Sequence, residues 1–164
     1  MFRGLSSDVL EAQFGPTELE ILQQDAETRI ICTKVRQTGQ ILELSHVTFS
    51  DEGRVAFPEI HQAVLAGESM GKAFRRADIK FRRVVHSAYT YDIPASLAGQ
   101  FGSRGQATIV NVSILIDTQT LYAKILEIYS PQVHWPQLVG KPTASQMEEA
   151  RLLDNFLVAR ASQT

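Results

Sequence analysis

The segment ATIVNVSILIDTQTLYAKILEIY, residues 107–129, restricts the possible folds more than any other part of the chain. Two apolar, β-branched runs flank a short polar break, the pattern of a β-hairpin whose strands must be covered on at least one face. With Thr118 and Gln119 as the turn residues, Ile116 is expected opposite Leu121, Ile114 opposite Ala123, Val112 opposite Ile125 and Val110 opposite Glu127. That register sets Glu127 on the face made by Val110, Val112, Ile114 and Ile116. A turn one residue longer would send it outward. A carboxylate on an apolar face is costly unless it finds a partner or keeps its proton, so Glu127 is a candidate site residue. The alternative is a solvated strand end beside Ser130 and Pro131.

A second hairpin is expected in RIICTKVRQTGQILELSHVTFS, residues 29–50, where two β-rich runs flank Thr38 and Gly39. A two-residue turn there pairs Val35 with Leu42, Thr33 with Leu44, Ile31 with His46 and Arg29 with Thr48. Arg29, Ile31, Val35, Leu42, Leu44 and His46 would then form the inner face, and Lys34, Arg36 and Glu43 the outer one. Ser6, Ser7 and Asp8 open a short helix that Gly15 and Pro16 stop. LEIL at 19–22 reads as a strand, Pro58 and Ser69 each start a helix, and IKFRRVVHSAYTY at 79–91 reads as another strand. Ser145 and Glu148 form a capping box for a last helix carrying Met147, Leu153, Phe156 and Leu157. This order predicts an α+β fold: an antiparallel sheet of about six strands with helices on one side.

A hydrophobic fraction of 44% in 164 residues suffices for one compact domain, taken as residues 1–164. Sixteen basic and eighteen acidic residues nearly cancel, which argues against nucleic acid or an anionic membrane as partner. The basic run FRRADIKFRR is accordingly read as a rim or an anion entrance. The N-terminus lacks a signal-peptide layout, and no apolar run approaches the roughly 20 residues that span a bilayer. The single cysteine, Cys32, excludes an internal disulfide and is compatible with a reducing cytoplasm, the expected location. By alternation it points away from the inner face and reads as an ordinary strand residue. His46, His61, His86 and His134 are scattered singly, so no metal site is expected, and no phosphate loop or nucleophile elbow is present to suggest a cofactor or an activated serine.

Four segments resemble, in order and spacing, the chorismate pyruvate-lyase family, in the branch with cyanobacterial and plastid members. They are FGPTELEILQQ (14–24), QILELSHVTFSDEG (40–53), AVLAGESMGKAFRR (63–76) and LEIYSP (126–131), and the resemblance spans about residues 8 to 132. It implies flap helices over an internal ligand cavity and cofactor-free removal of pyruvate from chorismate to leave 4-hydroxybenzoate, a quinone precursor. It further implies that Glu127 meets the ring hydroxyl, that Arg29 serves the ring carboxylate, and that Arg82, His46, Gly71 and Met70 line the substrate site. Ile31 stands where the family arginine aligns, with Arg29 two residues earlier on the same face. Asn111 and Ser113 replace arginines in the penultimate strand. The ligand-sensing domains of UTRA-type bacterial repressors resemble the same fold, so a non-catalytic or divergent binder is the alternative. The partner expected is an aromatic or cyclic carboxylic acid, and the chain a monomer or dimer.

Overall fold

The computed structural model describes residues 6–117 and 119–135, and all absences noted below refer to these residues. Helix α1 (Ser6–Phe14) stops at Gly15, which takes a left-handed φ of 83° that a side chain would disfavour. Strands β1 (Thr17–Gln24), β2 (Thr28–Val35) and β3 (Ile41–Phe49) follow. The Ser50 hydroxyl accepts from Gly53 N at 2.9 Å and so caps α2 (Asp51–Ala56), which the sequence reading did not include. Pro58 opens α3 (Pro58–Leu65) and Ser69 caps α4 (Met70–Arg76), as expected. Strand β4 (Phe81–Asp92), helix α5 (Ala95–Phe101), and strands β5 (Gln106–Ile116) and β6 (Thr120–Tyr129) complete the described chain. The predicted helix after Ser145 lies outside the described residues.

All six strands form one antiparallel sheet in the order β1-β2-β3-β6-β5-β4. It consists of two three-stranded meanders joined along β3 and β6, the α+β architecture expected. In the last hairpin Val110 pairs with Glu127, Val112 with Ile125 and Ile114 with Ala123, as the sequence predicts. An irregularity after Ile114 then gives Leu115 opposite Leu121 and Ile116 opposite Thr120.

The first hairpin differs from expectation by one residue. Thr33 pairs with Glu43, Ile31 with Ser45 and Arg29 with Val47. The turn is wider than two residues: Val35 N bonds Gln40 O at 2.9 Å and Gly39 N bonds Val35 O at 2.8 Å, with a bulge between Thr33 and Lys34. Because side chains alternate, the slip turns most of β3 over. Glu43, Ser45 and Val47 take the inner face, whereas Leu44 and His46 face the other way.

The inner face carries Val35, Leu42, Val47, Val110, Val112, Ile114 and Ile125, covered by Leu10 of α1, Ile60 and Val64 of α3, and Ala73 and Phe74 of α4. α2 sits at the start of β6, where Gly53 lies against the Tyr122 and Leu121 backbone. The opposite face is covered as well. Leu97 and Phe101 of α5 pack there on Ile30, Leu44, Ile109 and Ile128, so one helix lies across the sheet from the others. No helix among the described residues is long and apolar enough to cross a membrane.

Candidate functional site

The β3–β6 seam places polar groups in the middle of the apolar inner face. Glu127 is 3% exposed and Glu43 is 4% exposed, one on each strand of the seam. The Tyr129 hydroxyl donates to Glu127 Oε2 at 2.8 Å, and Arg83 Nη2 bonds the same oxygen. Glu43 accepts from Ser45 Oγ at 2.6 Å on one oxygen and from Thr33 Oγ1 at 3.2 Å on the other. The Trp135 ring closes this group from one side, 4.6 Å from the Tyr129 ring centroid and 5.9 Å from the Arg83 guanidinium.

Burial governs the electrostatics. It lifts the Glu127 carboxyl above the ordinary range, against the pull of Arg83 and the Tyr129 hydroxyl. Burial, reinforced by the negative charge of Glu127, pushes Glu43 up to about 7. The Tyr129 hydroxyl is held well above its usual range by burial and both glutamates, so it remains a donor. Burial opposes the charge on Arg83, yet Glu127 and Tyr129 outweigh it and hold that guanidinium charged.

The cation at Glu127 is therefore Arg83, where the sequence pointed to Arg29 or Arg82. Arg82 is exposed, because strand alternation gives the inner face to its neighbour. Arg29 does lie on the inner face and is 1% exposed, but it reaches the end of α3. Its Nη1 donates to Val64 O at 3.0 Å, with a longer 3.5 Å contact to Glu68 O, and its charge sits 6.0 Å from the Phe49 ring centroid. A cation at a helix C-terminus is favourable. Even so, Arg29 Nε and Nη2 are buried without an acceptor among the described residues, and burial lowers its proton affinity, opposed only by the Tyr122 phenol and by no carboxylate.

His46 lies across the sheet from this group, paired with Ile30 and Leu126 of the α5-side core. That corrects its predicted inner-face position, and the one-residue slip is the cause. Met70 and Gly71 open α4; Met70 packs on the inner-face core and Gly71 is buried. Asn111 and Ser113 also face the α5 side, where Ser113 Oγ lies 2.7 Å from His86 Nε2 and Asn111 Nδ2 donates to Ser87 Oγ at 3.2 Å. They occupy no inner-face position. Cys32 is buried on that same opposite face. A cleft of about 370 Å³ opens among Phe57, Ile60, Arg76 and Ile79, apart from the predicted site residues. No group of three or more His, Cys, Asp or Glu able to hold a metal occurs among the described residues.

Sequence reasoning missed Glu43, Arg83, Ser45, Thr33 and Tyr129. A signal existed for two of them. Leu42-Glu43-Leu44 repeats the pattern of Leu126-Glu127-Ile128, and tandem arginines in a strand require one of them to face inward.

No protein-family model and no curated protein matches the chain. Solved structures do. The ligand-binding domain of a GntR-family transcriptional regulator from Bordetella bronchiseptica is 9% identical, with a TM-score of 0.55 over 76% of this chain and 92% of that one. A GntR-family transcriptional regulator from Bacillus cereus is 10% identical, with a TM-score of 0.51 over 76% and 99%. PhnF from Mycobacterium smegmatis is 13% identical, with a TM-score of 0.52 over 88% and 70%. At such identities the likeness is one of fold. The chain thus adopts the α+β, six-stranded antiparallel fold found in GntR-family regulator domains, the fold class that its sequence segments suggested.

Proposed function

We propose that this chain binds a small organic acid on the helix-covered inner face of its sheet. Arg29 takes the carboxylate, and the Glu127, Tyr129 and Arg83 group meets a polar substituent at the other end. The observation that carries this reading is Arg29: a guanidinium 1% exposed, with Nε and Nη2 lacking acceptors and no acidic partner among the described residues. A buried cation is normally paired, and a guanidinium fork suits a carboxylate. Arg29 and Glu127 are two strands and two residues apart, about 12 Å between Cα atoms from standard sheet spacings, a gap that two long side chains and a benzoate-sized acid can bridge. The fold likeness to a domain described as ligand-binding supports the same reading. Calorimetric titration with 4-hydroxybenzoate tests it. Arg29→Met should weaken binding more than about tenfold, as loss of a charge-assisted pair does, and equal affinity in the variant would refute the assignment.

A second reading makes the site enzymatic: chorismate lyase activity, yielding 4-hydroxybenzoate and pyruvate. It is favoured by Glu127, which is buried on the last strand within the LEIYSP segment that carries the family resemblance. In such an elimination the protein mainly positions a dianion and stabilises developing charge. Arg83 and Arg29 are the cations available on this face. Incubating the folded protein with chorismate and following both products decides this reading. Absence of turnover would leave the binding reading alone, and Glu127→Gln should weaken binding of 4-hydroxybenzoate while the fold stays intact.

A further inference from the structure

Glu43 has no part in the ligand contacts proposed above, yet it is buried at the same seam. Tyr129 pairs with Glu43 and Ser45 with Glu127, so the two glutamates are diagonal neighbours across β3 and β6, about 7 to 8 Å apart at Cα. Hydroxyls alone meet Glu43, while Arg83 bonds Glu127. Among the described residues, the elements around the pair add no second cation to it. β2 contributes Thr33, with Arg29 turned to the end of α3; β5 contributes Val110 and Val112; β6 contributes Tyr129; and Trp135 covers Tyr129 and Arg83. The helices present Leu10, Val64 and Phe74, and His61 of α3 is engaged with the Tyr122 hydroxyl at 3.1 Å. Two carboxylates and one guanidinium leave the group one positive charge short. In a dry interior a proton makes up such a deficit.

We propose that Glu43 holds the single proton of a Glu43–Glu127 pair and thereby determines when the site accepts an acid: the anionic ligand binds while that proton is present and is rejected once it leaves. The proton belongs on Glu43 because Glu127 already has the guanidinium and the Tyr129 hydroxyl. Burial and the neighbouring Glu127 push the Glu43 carboxyl up to about 7, which sets the transition near neutrality. With the proton the group is neutral. Without it the group carries one net negative charge in a buried seam and opposes an incoming carboxylate. The ligand half of the proposal rests on the small-acid reading; the proton pair does not.

Two measurements on the whole chain separate these parts. Carboxyl carbon NMR of glutamate-labelled protein should show one side chain titrating near neutrality, and that transition should vanish in Glu43→Gln. Benzoate affinity by calorimetry, from about pH 5.5 to about 8.5, should fall by up to about tenfold per pH unit above neutrality, the limit for one linked proton. In Glu43→Gln it should be flat. If every glutamate titrates in the ordinary range, the proton pair is overturned whether or not benzoate binds. A near-neutral titration with pH-independent affinity overturns the gating. A near-neutral titration with no benzoate binding at any pH supports the pair and counts against the small-acid reading. The titration uses the unaltered chain, so the test holds even if Glu43→Gln folds poorly.

Discussion

Arg83→Met removes the guanidinium bonded to Glu127, the only one among the described residues, and keeps much of the apolar stem, so it isolates the charge. The side chains of Arg83 and Glu127 are 9% and 4% exposed, which places the pair among buried ion pairs. Removing one partner of such a pair costs about 3 to 5 kcal/mol, since the other charge stays buried and unpaired. With a urea slope of about 2 kcal/mol per molar, typical for this size, the midpoint should fall by about 1.5 to 2.5 M near pH 8. The loss should shrink as the pH falls, because protonation of Glu127 removes the unpaired charge. The double variant Arg83→Met, Glu127→Gln should recover much of the stability, giving a coupling energy of at least about 2 kcal/mol. A loss below about 1 kcal/mol at pH 8, the behaviour of a solvated pair, or simple additivity in the cycle, would refute the account of the seam.

Glu43 should give stability a pH window of its own. As pH rises from about 4.5 to about 7 the unfolded chain releases a proton that the native chain retains, so stability is lost across that window, by about 3 kcal/mol, and levels off above it. Urea unfolding across pH, compared with Glu43→Gln, should show that component disappear in the variant. A Cβ at Gly53 would lie 2.7 Å from Tyr122 Cα and 2.8 Å from Leu121 O, both backbone atoms, so Gly53→Ala should displace α2 and destabilise by about 1 to 3 kcal/mol in the same assay. The Cys32 thiol, raised to about 11 by burial and the nearby Glu20, should resist a disulfide reagent at pH 8 until denaturant is added; prompt labelling of the native protein would contradict its buried position.

What the sequence disclosed follows from how strictly each turn fixed its strands. The β5–β6 register is legible in the sequence as far as Ile114 and Ala123, which is enough to set Glu127 inward. The β2–β3 register was not, because Thr38-Gly39 suggests a tight turn, whereas the chain closes at Val35 and Gln40 and absorbs a bulge. A register one residue off assigns Glu43 and Ser45 to the outer face and His46 to the inner one, the reverse of where the structure has them. A similar irregularity in β4, between Val85 and Ser87, separates the alternation around Arg83 from that of the later strand. Helices α2 and α5 are six and seven residues long, too short for periodicity to reveal them. α5 in particular lacks a side-chain cap, and only its packing on Ile109 and Ile128 accounts for it.

The tandem Arg82-Arg83 sits on β4, one of the two edge strands among the described residues, paired along one side only. An edge strand is hydrogen-bonded along one side, so its register rests on one pairing. Sliding β4 by one position would turn Arg83 out and bring Arg82 in, leaving a guanidinium over the buried glutamates either way. The arrangement thus carries a built-in spare: the inward charge belongs to a position on the face, and either of two adjacent arginines can supply it.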